Sequence, residues 1–374
     1  MVDSIIDKLN WTHFNPVRIV CEPLESLANH TRGEHILLVT TPGFIKRGAV
    51  DRVKKILSNQ RVSVWDGVKP NPDLMDLDEA TEQLKPLKPD CIIGLGGGSA
   101  LDAAKVLATT LAHADSHSLT EVFRHCKNPT WNKRLPLIAI PTTAGTGSEV
   151  TPFATVWDHE EKKKHSLTGD YVFPDVALLD ATLTLTLGYE DTLYPALDTI
   201  SHALESLWNK NITPISKSFS LGSLKLSSEA LLETLDNPSS LNNRHKLLQS
   251  SCLAGLAISQ TKTAIAHATS YSLTVKYGIP HGLACSFALS ELIEKSSSLK
   301  HIKSEDYGPI QEINNILKGI NFNQLLIPYM KNLYHFSTSD IVSNQSRAQN
   351  YLGDMDFANS IVNIKFNTLL RSCD

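Results

Sequence analysis

The feature that most limits the possible folds is a short apolar run that ends in three glycines. Residues 91–95 read Cys-Ile-Ile-Gly-Leu and lead directly into Gly96-Gly97-Gly98-Ser99. A run of this kind is typical of a buried strand, and the residues after Ser99 continue as a helix. Glycines at a strand-to-helix turn let the backbone approach a ligand, and the helix N-terminus offers N–H groups to a phosphate. A simple tight turn is the alternative, but three glycines followed by serine favour a phosphate site.

Similar apolar runs recur along the first half of the chain. They occupy residues 35–40, 62–65, 137–140 and 176–179, with helical stretches between them. This alternation predicts a parallel α/β sheet. The run at 137–140 leads into a second loop, 141–149, that is rich in threonine and glycine, at the strand end where ligands bind in such sheets. Neither loop fits a nucleoside-triphosphate P-loop, and two such loops suit an extended dinucleotide.

The second half of the chain has a different pattern. After about residue 186 strand signals become sparse, and helical periodicity dominates, including 196–207 and 247–275. A chain of 374 residues is long enough for two domains. The sequence therefore predicts an α/β dinucleotide-binding domain over 1–187 and an all-helical metal-binding catalytic domain over 188–374.

Four side chains in the helical half could bind a metal. Asp198 and His202 are four residues apart, which places both on one helix face, and His267 and His281 follow in later segments. A lone histidine is usually a core or surface residue, and this chain has 14. The Asp-x-x-x-His pair and the alanine-rich surroundings of His267 nevertheless favour a divalent metal site. Three imidazoles and a carboxylate suit Fe(II), Zn(II), Co(II) or Ni(II), where the metal would act as a Lewis acid.

The composition narrows the classes of protein to which the chain can belong. With 41% hydrophobic residues, 20% charged residues and a net charge of -4, the chain has the balance of a soluble globular protein, without a nucleic-acid or membrane surface. The six cysteines are scattered, which favours a reducing cytoplasm. The N-terminus lacks the pattern of a secretory signal, and no stretch approaches the roughly 20 apolar residues of a membrane span.

Taken together, the motifs resemble those of the iron-dependent (group III) alcohol dehydrogenase family along nearly the whole chain. They are Pro70-Asn71-Pro72, Gly96-Gly-Gly-Ser99-x-x-Asp102-x-x-Lys105, Pro141-Thr-Thr-x-Gly-Thr-Gly-Ser-Glu149, Pro174-Asp175 with Asp180, Asp198-x-x-x-His202-Ala-x-Glu205 and Pro280-His281-Gly282. The resemblance implies a dehydroquinate synthase-like fold, a homodimer or larger homo-oligomer, and NAD(P)H with one divalent metal per chain. Fe(II) is the expected metal and Zn(II) the alternative.

The resemblance also assigns roles to individual residues. The family's metal ligands match Asp198, His202, His267 and His281. The pyrophosphate would lie on Gly97, Gly98 and Ser99, and the rest of the cofactor site would be lined by Asn71, Thr142, Thr143, Thr146, Lys164 and Leu183. A solvated charge run is the other interpretation of Lys164.

This chain departs from the family pattern at two positions. Many members have a second histidine four residues after the one matched by His267, where this chain has Tyr271. A tyrosine hydroxyl can pass a proton or orient a substrate, so Tyr271 and His267 are the candidate catalytic residues. The other departure is Thr41, where NAD-preferring members often have an acid that binds the ribose and repels a 2′-phosphate. Without that charge, NADP(H) becomes admissible beside NAD(H).

Within the family, residues 270–274, 280–287 and the tail with Ser346, Arg347, Ala348 and Asn350 resemble the phosphonoacetaldehyde reductases. An arginine suits a phosphonate group. The expected reaction is the interconversion of a short aldehyde and its primary alcohol, with phosphonoacetaldehyde and 2-hydroxyethylphosphonate as the specific pair. A general short-chain alcohol or diol dehydrogenase, a dehydroquinate synthase-type lyase and a non-catalytic metal-binding scaffold remain the alternatives.

Overall fold

The computed structural model describes residues 10–113, 116–296, 299, 301–329, 345–353 and 360, which fall into two compact units. The first comprises residues 15–143 and 147–185. The second comprises the described residues up to Phe14, the short segment 144–146 and the described residues from Thr186 onward. The predicted domain boundary between residues 187 and 188 stays a prediction.

A six-stranded sheet forms the centre of the first unit. Its strands are β1 (Arg18–Val20), β2 (His35–Val39), β3 (Arg61–Trp65), β4 (Cys91–Gly96), β5 (Leu137–Pro141) and, after a separate antiparallel hairpin of β6 (Phe153–Asp158) and β7 (Lys163–Thr168), β8 (Val176–Leu178). The order is β1-β8-β5-β4-β2-β3, and every pairing in it is parallel. The predicted parallel α/β sheet is confirmed; β1 and the hairpin were not predicted.

Both faces of this sheet are covered. Six helices belong to the unit: α1 (Leu27–His30), α2 (Pro42–Lys46), α3 (Ala49–Ile56), α4 (Leu74–Leu84), α5 (Gly98–Ala112) and α6 (Leu119–Phe123). Alternate residues of β2 enter two different apolar clusters, Leu37 in one and Ile36 in the other. Because parallel strands are buried on both faces, they read as continuous apolar runs, which explains why they could be predicted.

Two charged residues, the buried Lys105 and the partly buried Asp102, fix α5 against the start of β6 and the residues just before it. Lys105 donates from Nζ to the carbonyl oxygens of Thr151 at 2.9 Å and Phe153 at 2.8 Å. Asp102 accepts a 2.8 Å hydrogen bond from the backbone N–H of Thr155. Burial lowers the pKa of Lys105 to about 8. The Asp-x-x-Lys motif therefore holds in place the helix that begins at the glycine turn.

The described part of the second unit is helical. Its helices are α7 (Tyr189–Leu207), α8 (Pro214–Asp236), α9 (Leu241–Thr261), α10 (Ile265–Tyr277), α11 (His281–Ser286), α12 (Leu289–Ser296), α13 (Tyr307–Gly319), α14 (Phe322–Leu326) and α15 (Gln345–Ala348). The stretch 247–275, where helical periodicity was predicted, forms two helices, because Lys262 adopts a left-handed φ of 62° and the chain turns before Ile265. Among the described residues, no helix combines the length and apolar character that crossing a bilayer requires.

Candidate active site

Helix α7 carries three acidic or imidazole side chains on one buried face. Asp198, His202 and Glu205 stand at spacings of four and three residues, which brings them to the same side of the helix. All three are buried, with Glu205 fully inaccessible. Asp198 and His202 were predicted as ligands, whereas Glu205 was singled out only as part of a motif.

Three imidazoles surround one oxygen of Asp198. The distances from Asp198 Oδ1 are 3.2 Å to His267 Nε2, 3.6 Å to His202 Nε2 and 3.8 Å to His281 Nε2. Two oxygen or nitrogen donors on a tetrahedral metal, each about 2.1 Å from it, are about 3.4 Å apart. The three predicted imidazole ligands therefore converge on one oxygen of the fourth, Asp198, at separations of this order, and their role as metal ligands stays a prediction.

Glu205 fixes the orientation of His267. Its Oε1 accepts hydrogen bonds from the backbone N–H groups of Ala266 at 2.5 Å and His267 at 3.2 Å, and its Oε2 pairs with His267 Nδ1 at 2.5 Å. Because the Glu205 carboxylate engages Nδ1, the other ring nitrogen, Nε2, faces Asp198 and is the one available to bind a metal. These backbone groups can reach Glu205 because α10 begins at Ile265, so the helix break builds part of the site.

The charges of the cluster also suit a cation. Burial alone would raise the pKa of Asp198, but His202, His267 and His281 hold that pKa well below its usual range, so the carboxylate is ionised. Burial lowers the pKa of His202 to about 4, which leaves this ring neutral. His267 differs: burial would lower its pKa, but Cys285, Glu205 and Asp198 raise it well above the usual range, so this ring holds a proton that metal binding would release. A carboxylate and neutral imidazoles are the protonation states in which these groups bind metals.

A glycine allows α11 to approach α7 closely enough for His281 to join the cluster. A Cβ built on Gly282 would overlap the backbone carbonyl of Tyr194 and lie 3.3 Å from the backbone nitrogen of Asp198. No side chain fits there without moving one helix. Gly282 therefore determines how near His281 comes to Asp198.

Cys285 is a member of the cluster that the sequence analysis did not single out. It is buried one helical turn after His281, and its Sγ lies 3.7 Å from His281 Nε2. One donor atom from each of Asp198, His267, His281 and Cys285 lies within 4.8 Å of the others. Its spacing of four from His281 was the signal that could have found it.

The predicted cofactor residues of the first unit follow the carboxyl ends of neighbouring strands. Thr41 comes after β2, Asn71 after β3, Gly97, Gly98 and Ser99 after β4, Thr142 and Thr143 after β5, and Leu183 after β8. Since these strands are parallel, their carboxyl ends share one edge of the sheet, the edge at which ligands bind in open α/β folds. Lys164 lies on β7, with Nζ 5.2 Å from the centre of the Trp157 ring.

The two predicted loops approach each other closely at Gly97. Gly96 has a φ of 155°, and a Cβ on Gly97 would lie 3.1 Å from the hydroxyl of Thr143. The backbone N–H of Asn71 lies 3.3 Å from Ser99 Oγ. The two loops and the Asn71 turn are thus neighbours at the start of α5. Thr146 differs from these residues, since its segment belongs to the second unit.

Tyr271 and Arg347 lie near the metal-ligand cluster within the second unit. Tyr271 is partly buried on α10, one turn after His267. Burial lowers the pKa of the Arg347 guanidinium, while the nearby Glu205, Cys285 and Tyr271 raise it. Arg347 therefore belongs to the surroundings of the cluster.

The segment that carries Arg347 is anchored just after α15. The backbone N–H of Lys210 donates to the Asn350 carbonyl at 2.9 Å, and Asn350 Nδ2 donates to the Thr263 carbonyl at 3.0 Å. Ala348 and Tyr351 enter the apolar core of the unit. These contacts fix the position from which the guanidinium extends.

Two family models match the chain in succession. Residues 16–181 match "Iron-containing alcohol dehydrogenase", and residues 192–326 match "Fe-containing alcohol dehydrogenase family, C-terminal". Aldehyde-alcohol dehydrogenase 2 of Entamoeba histolytica is 31% identical over 77% of this chain, which spans only 34% of that longer protein.

Relatives closer to this chain in length match it over most of both chains. Sulfoacetaldehyde reductase of Bilophila wadsworthia is 31% identical over 74% of this chain and 72% of its own length. The crystal structure of sulfoacetaldehyde reductase from Bifidobacterium kashiwanohense in complex with NAD+ has a TM-score of 0.84 and 27% identity, and the match covers 97% of this chain and 99% of that one. The two-unit fold, the converging metal donors and these matches show that the chain belongs to the iron-containing alcohol dehydrogenase family.

Proposed function

We propose that the protein is a metal-dependent NAD(P)H-linked reductase of a short aldehyde that carries an anionic group, with phosphonoacetaldehyde as the substrate and 2-hydroxyethylphosphonate as the product. The single observation that carries the substrate class is the placement of Arg347. Its guanidinium is partly buried and anchored near the cluster, where it can bind the far end of a two-carbon aldehyde whose carbonyl lies at the ligands.

The choice of an anion follows from the chemistry of guanidinium. Its planar set of donors binds phosphonate or sulfonate oxygens in pairs, and a partly desolvated site strengthens such bonds. Two relatives are named sulfoacetaldehyde reductases, and their substrate differs from phosphonoacetaldehyde only in the anionic group. The phosphonate is preferred here because of the tail and α11 motifs, and the sulfonate is its direct competitor.

The roles of the residues follow from their positions. A divalent metal held by Asp198, His202, His267 and His281 would supply Lewis acidity toward the carbonyl oxygen, and NAD(P)H would supply the hydride. Tyr271 would hold the proton that the carbonyl oxygen receives and would regain one from solvent. Tyr271→Phe keeps the ring and deletes only the hydroxyl, so it should lower kcat while leaving metal content unchanged.

The dinucleotide would bind along the carboxyl edge of the sheet. Gly97, Gly98 and Ser99 would receive the pyrophosphate at the N-terminus of α5. Asn71, Thr142, Thr143, Thr146, Lys164 and Leu183 would line the remaining parts. Thr41 would face the adenosine ribose, where the absence of a carboxylate leaves NADPH admissible.

The decisive experiment compares aldehydes on metal-reconstituted enzyme. NADH and NADPH oxidation is followed with phosphonoacetaldehyde, sulfoacetaldehyde and propanal, for the wild type, Arg347→Ala and the matched charge control Lys210→Ala, whose side chain is exposed. Losing a charge-assisted hydrogen bond costs about 1.5–3 kcal/mol, so Arg347→Ala should lower kcat/KM for phosphonoacetaldehyde about 10- to 100-fold and spare propanal.

Each other result has a definite meaning. Equal losses on phosphonoacetaldehyde and propanal would remove Arg347 from the substrate site. A wild-type preference for sulfoacetaldehyde would replace phosphonate by sulfonate, and a preference for propanal would favour a general alcohol dehydrogenase. Conversion of substrate without net NAD(P)H consumption would favour a lyase of the dehydroquinate synthase type.

A further inference from the structure

Among the described residues, Cys285 differs from the other buried cysteines in the side chains that surround it. Cys91 is buried in β4 within an apolar cluster and Cys252 is buried in α9, whereas Cys285 lies among candidate metal ligands. It has 2% exposure, and its Sγ is 3.7 Å from Nε2 and 3.8 Å from Nδ1 of His281. The sulfur thus lies beside the donors that surround Asp198.

These separations match those of a metal-bound sulfur. Metal–sulfur and metal–nitrogen bonds of about 2.3 and 2.1 Å at a tetrahedral angle place the sulfur about 3.6 Å from the nitrogen. The observed distance from Sγ to His281 Nε2 is 3.7 Å. The mutually closest donors are Asp198, His267, His281 and Cys285, while the stacked ring of His202 adjoins them with its centre 4.6 Å from that of His267.

We propose that Cys285 is a further ligand of the metal. On metal binding its S–H bond breaks, the electron pair stays on sulfur, and the proton passes to solvent. The thiolate then binds beside Asp198, His267 and His281. The proposal deepens the metal site of the proposed function and rests on it.

A thiolate ligand changes which metal ion the site prefers. Sulfur is a softer donor than imidazole nitrogen or carboxylate oxygen, and thiolate ligands favour Zn(II). With Cys285 bound, the site favours Zn(II) over Fe(II) more strongly than three imidazoles and a carboxylate alone. The residue at position 285 is therefore a determinant of which metal the chain loads.

The test uses the full chain loaded with Co(II), whose absorption spectrum reports its ligands. A thiolate ligand gives an intense sulfur-to-cobalt charge-transfer band in the near ultraviolet, and weaker visible bands report that Co(II) is bound. The wild type should show both. Cys285→Ser should lose the charge-transfer band and keep the visible bands, and the control Cys252→Ser should keep both.

A charge-transfer band that survives in Cys285→Ser, or a wild type with visible bands alone, would overturn the proposal. X-ray absorption of the wild type with Zn(II) tests it without a variant, because a sulfur ligand scatters at about 2.3 Å and its absence from the spectrum would equally refute the ligand. Neither measurement needs a substrate, so they are independent of which aldehyde is reduced. A chain that binds no Co(II) or Zn(II) would overturn the metal site itself.

Discussion

Glu205 joins two helices through a set of hydrogen bonds to one end of α10. A buried carboxylate is costly unless its oxygens are satisfied, and here both oxygens receive donors from Ala266 or His267. The negative charge also lies at the N-terminus of α10, where the helix dipole stabilises it. One side chain thus supports the fold and orients a ligand.

Replacing Glu205 by glutamine should separate these two contributions. The amide keeps the size of the side chain but turns one acceptor into a donor that faces backbone or ring N–H groups. We expect metal affinity to fall about 10- to 100-fold, measured by chelator competition. Glu229→Gln is the matched control, because Glu229 forms only a partly exposed pair with Lys246. Equal metal affinity in Glu205→Gln and the wild type would show that the carboxylate does not tune His267.

Thr41 tests the position of the adenosine end. It follows β2 and precedes α2, at the edge of the sheet that the predicted cofactor residues share. Thr41→Asp should shift the ratio of kcat/KM toward NADH, since a carboxylate accepts from ribose hydroxyls and repels a 2′-phosphate. Thr41→Asn is the neutral control and should change the ratio less. An unchanged ratio in Thr41→Asp would place the ribose elsewhere.

At the level of secondary structure, most of the strands that the sequence predicted are those whose residues are buried. Strands such as β4 and β5 are buried on both faces and appear in the sequence as apolar runs with clear ends. The three residues of β1 are too few to show a period, and the lysines of β7 obscured the hairpin. The break before α10 contains neither glycine nor proline, so no local signal marked it.

The approach of α11 to α7 makes a prediction of its own. Gly282→Ala should push the N-terminus of α11 away from Tyr194, move His281 from Asp198 and remove most of the bound metal. Gly308→Ala is the control, because a Cβ there meets nothing within 4 Å. Metal content by elemental analysis and circular dichroism measure the outcome. A folded Gly282→Ala variant with full metal would show that the helices can shift without loss of the site.

At the scale of the whole molecule, most of the proposed dinucleotide site and the proposed metal site lie in different compact units. The glycine turn after β4 belongs to the sheet unit, and the candidate metal ligands belong to the helical unit. The sequence could identify the histidines, because their spacings and apolar surroundings are unusual. It could not reveal that Glu205 and Cys285 join them, since that depends on how α7, α10 and α11 meet.

This division predicts that metal and dinucleotide binding can be lost separately. His267→Ala should abolish the metal-induced rise in Tm and most activity, while the dinucleotide still binds in a titration. A metal at 100 times its Kd stabilises the native state by about 2.7 kcal/mol, which a thermal scan detects easily. His245→Ala, a partly buried histidine of α9, is the control. A metal-induced rise that persists in His267→Ala would contradict the ligand assignment.

The break between α9 and α10 fixes the number of residues that separate the two helices. Its neighbours hold it through main-chain oxygens, since Asn209 donates to the Lys262 carbonyl and Asn350 to that of Thr263. Lys262 is exposed, whereas Thr263 and Ala264 are buried, so only position 262 is open to exchange, and its φ of 62° favours glycine there. Adding or deleting one residue, however, would turn α10 by about 100° about its axis and direct His267 away from Glu205. In a library of variants, position 262 should accept exchanges that positions 263 and 264 do not, and the segment 262–264 should accept no insertions.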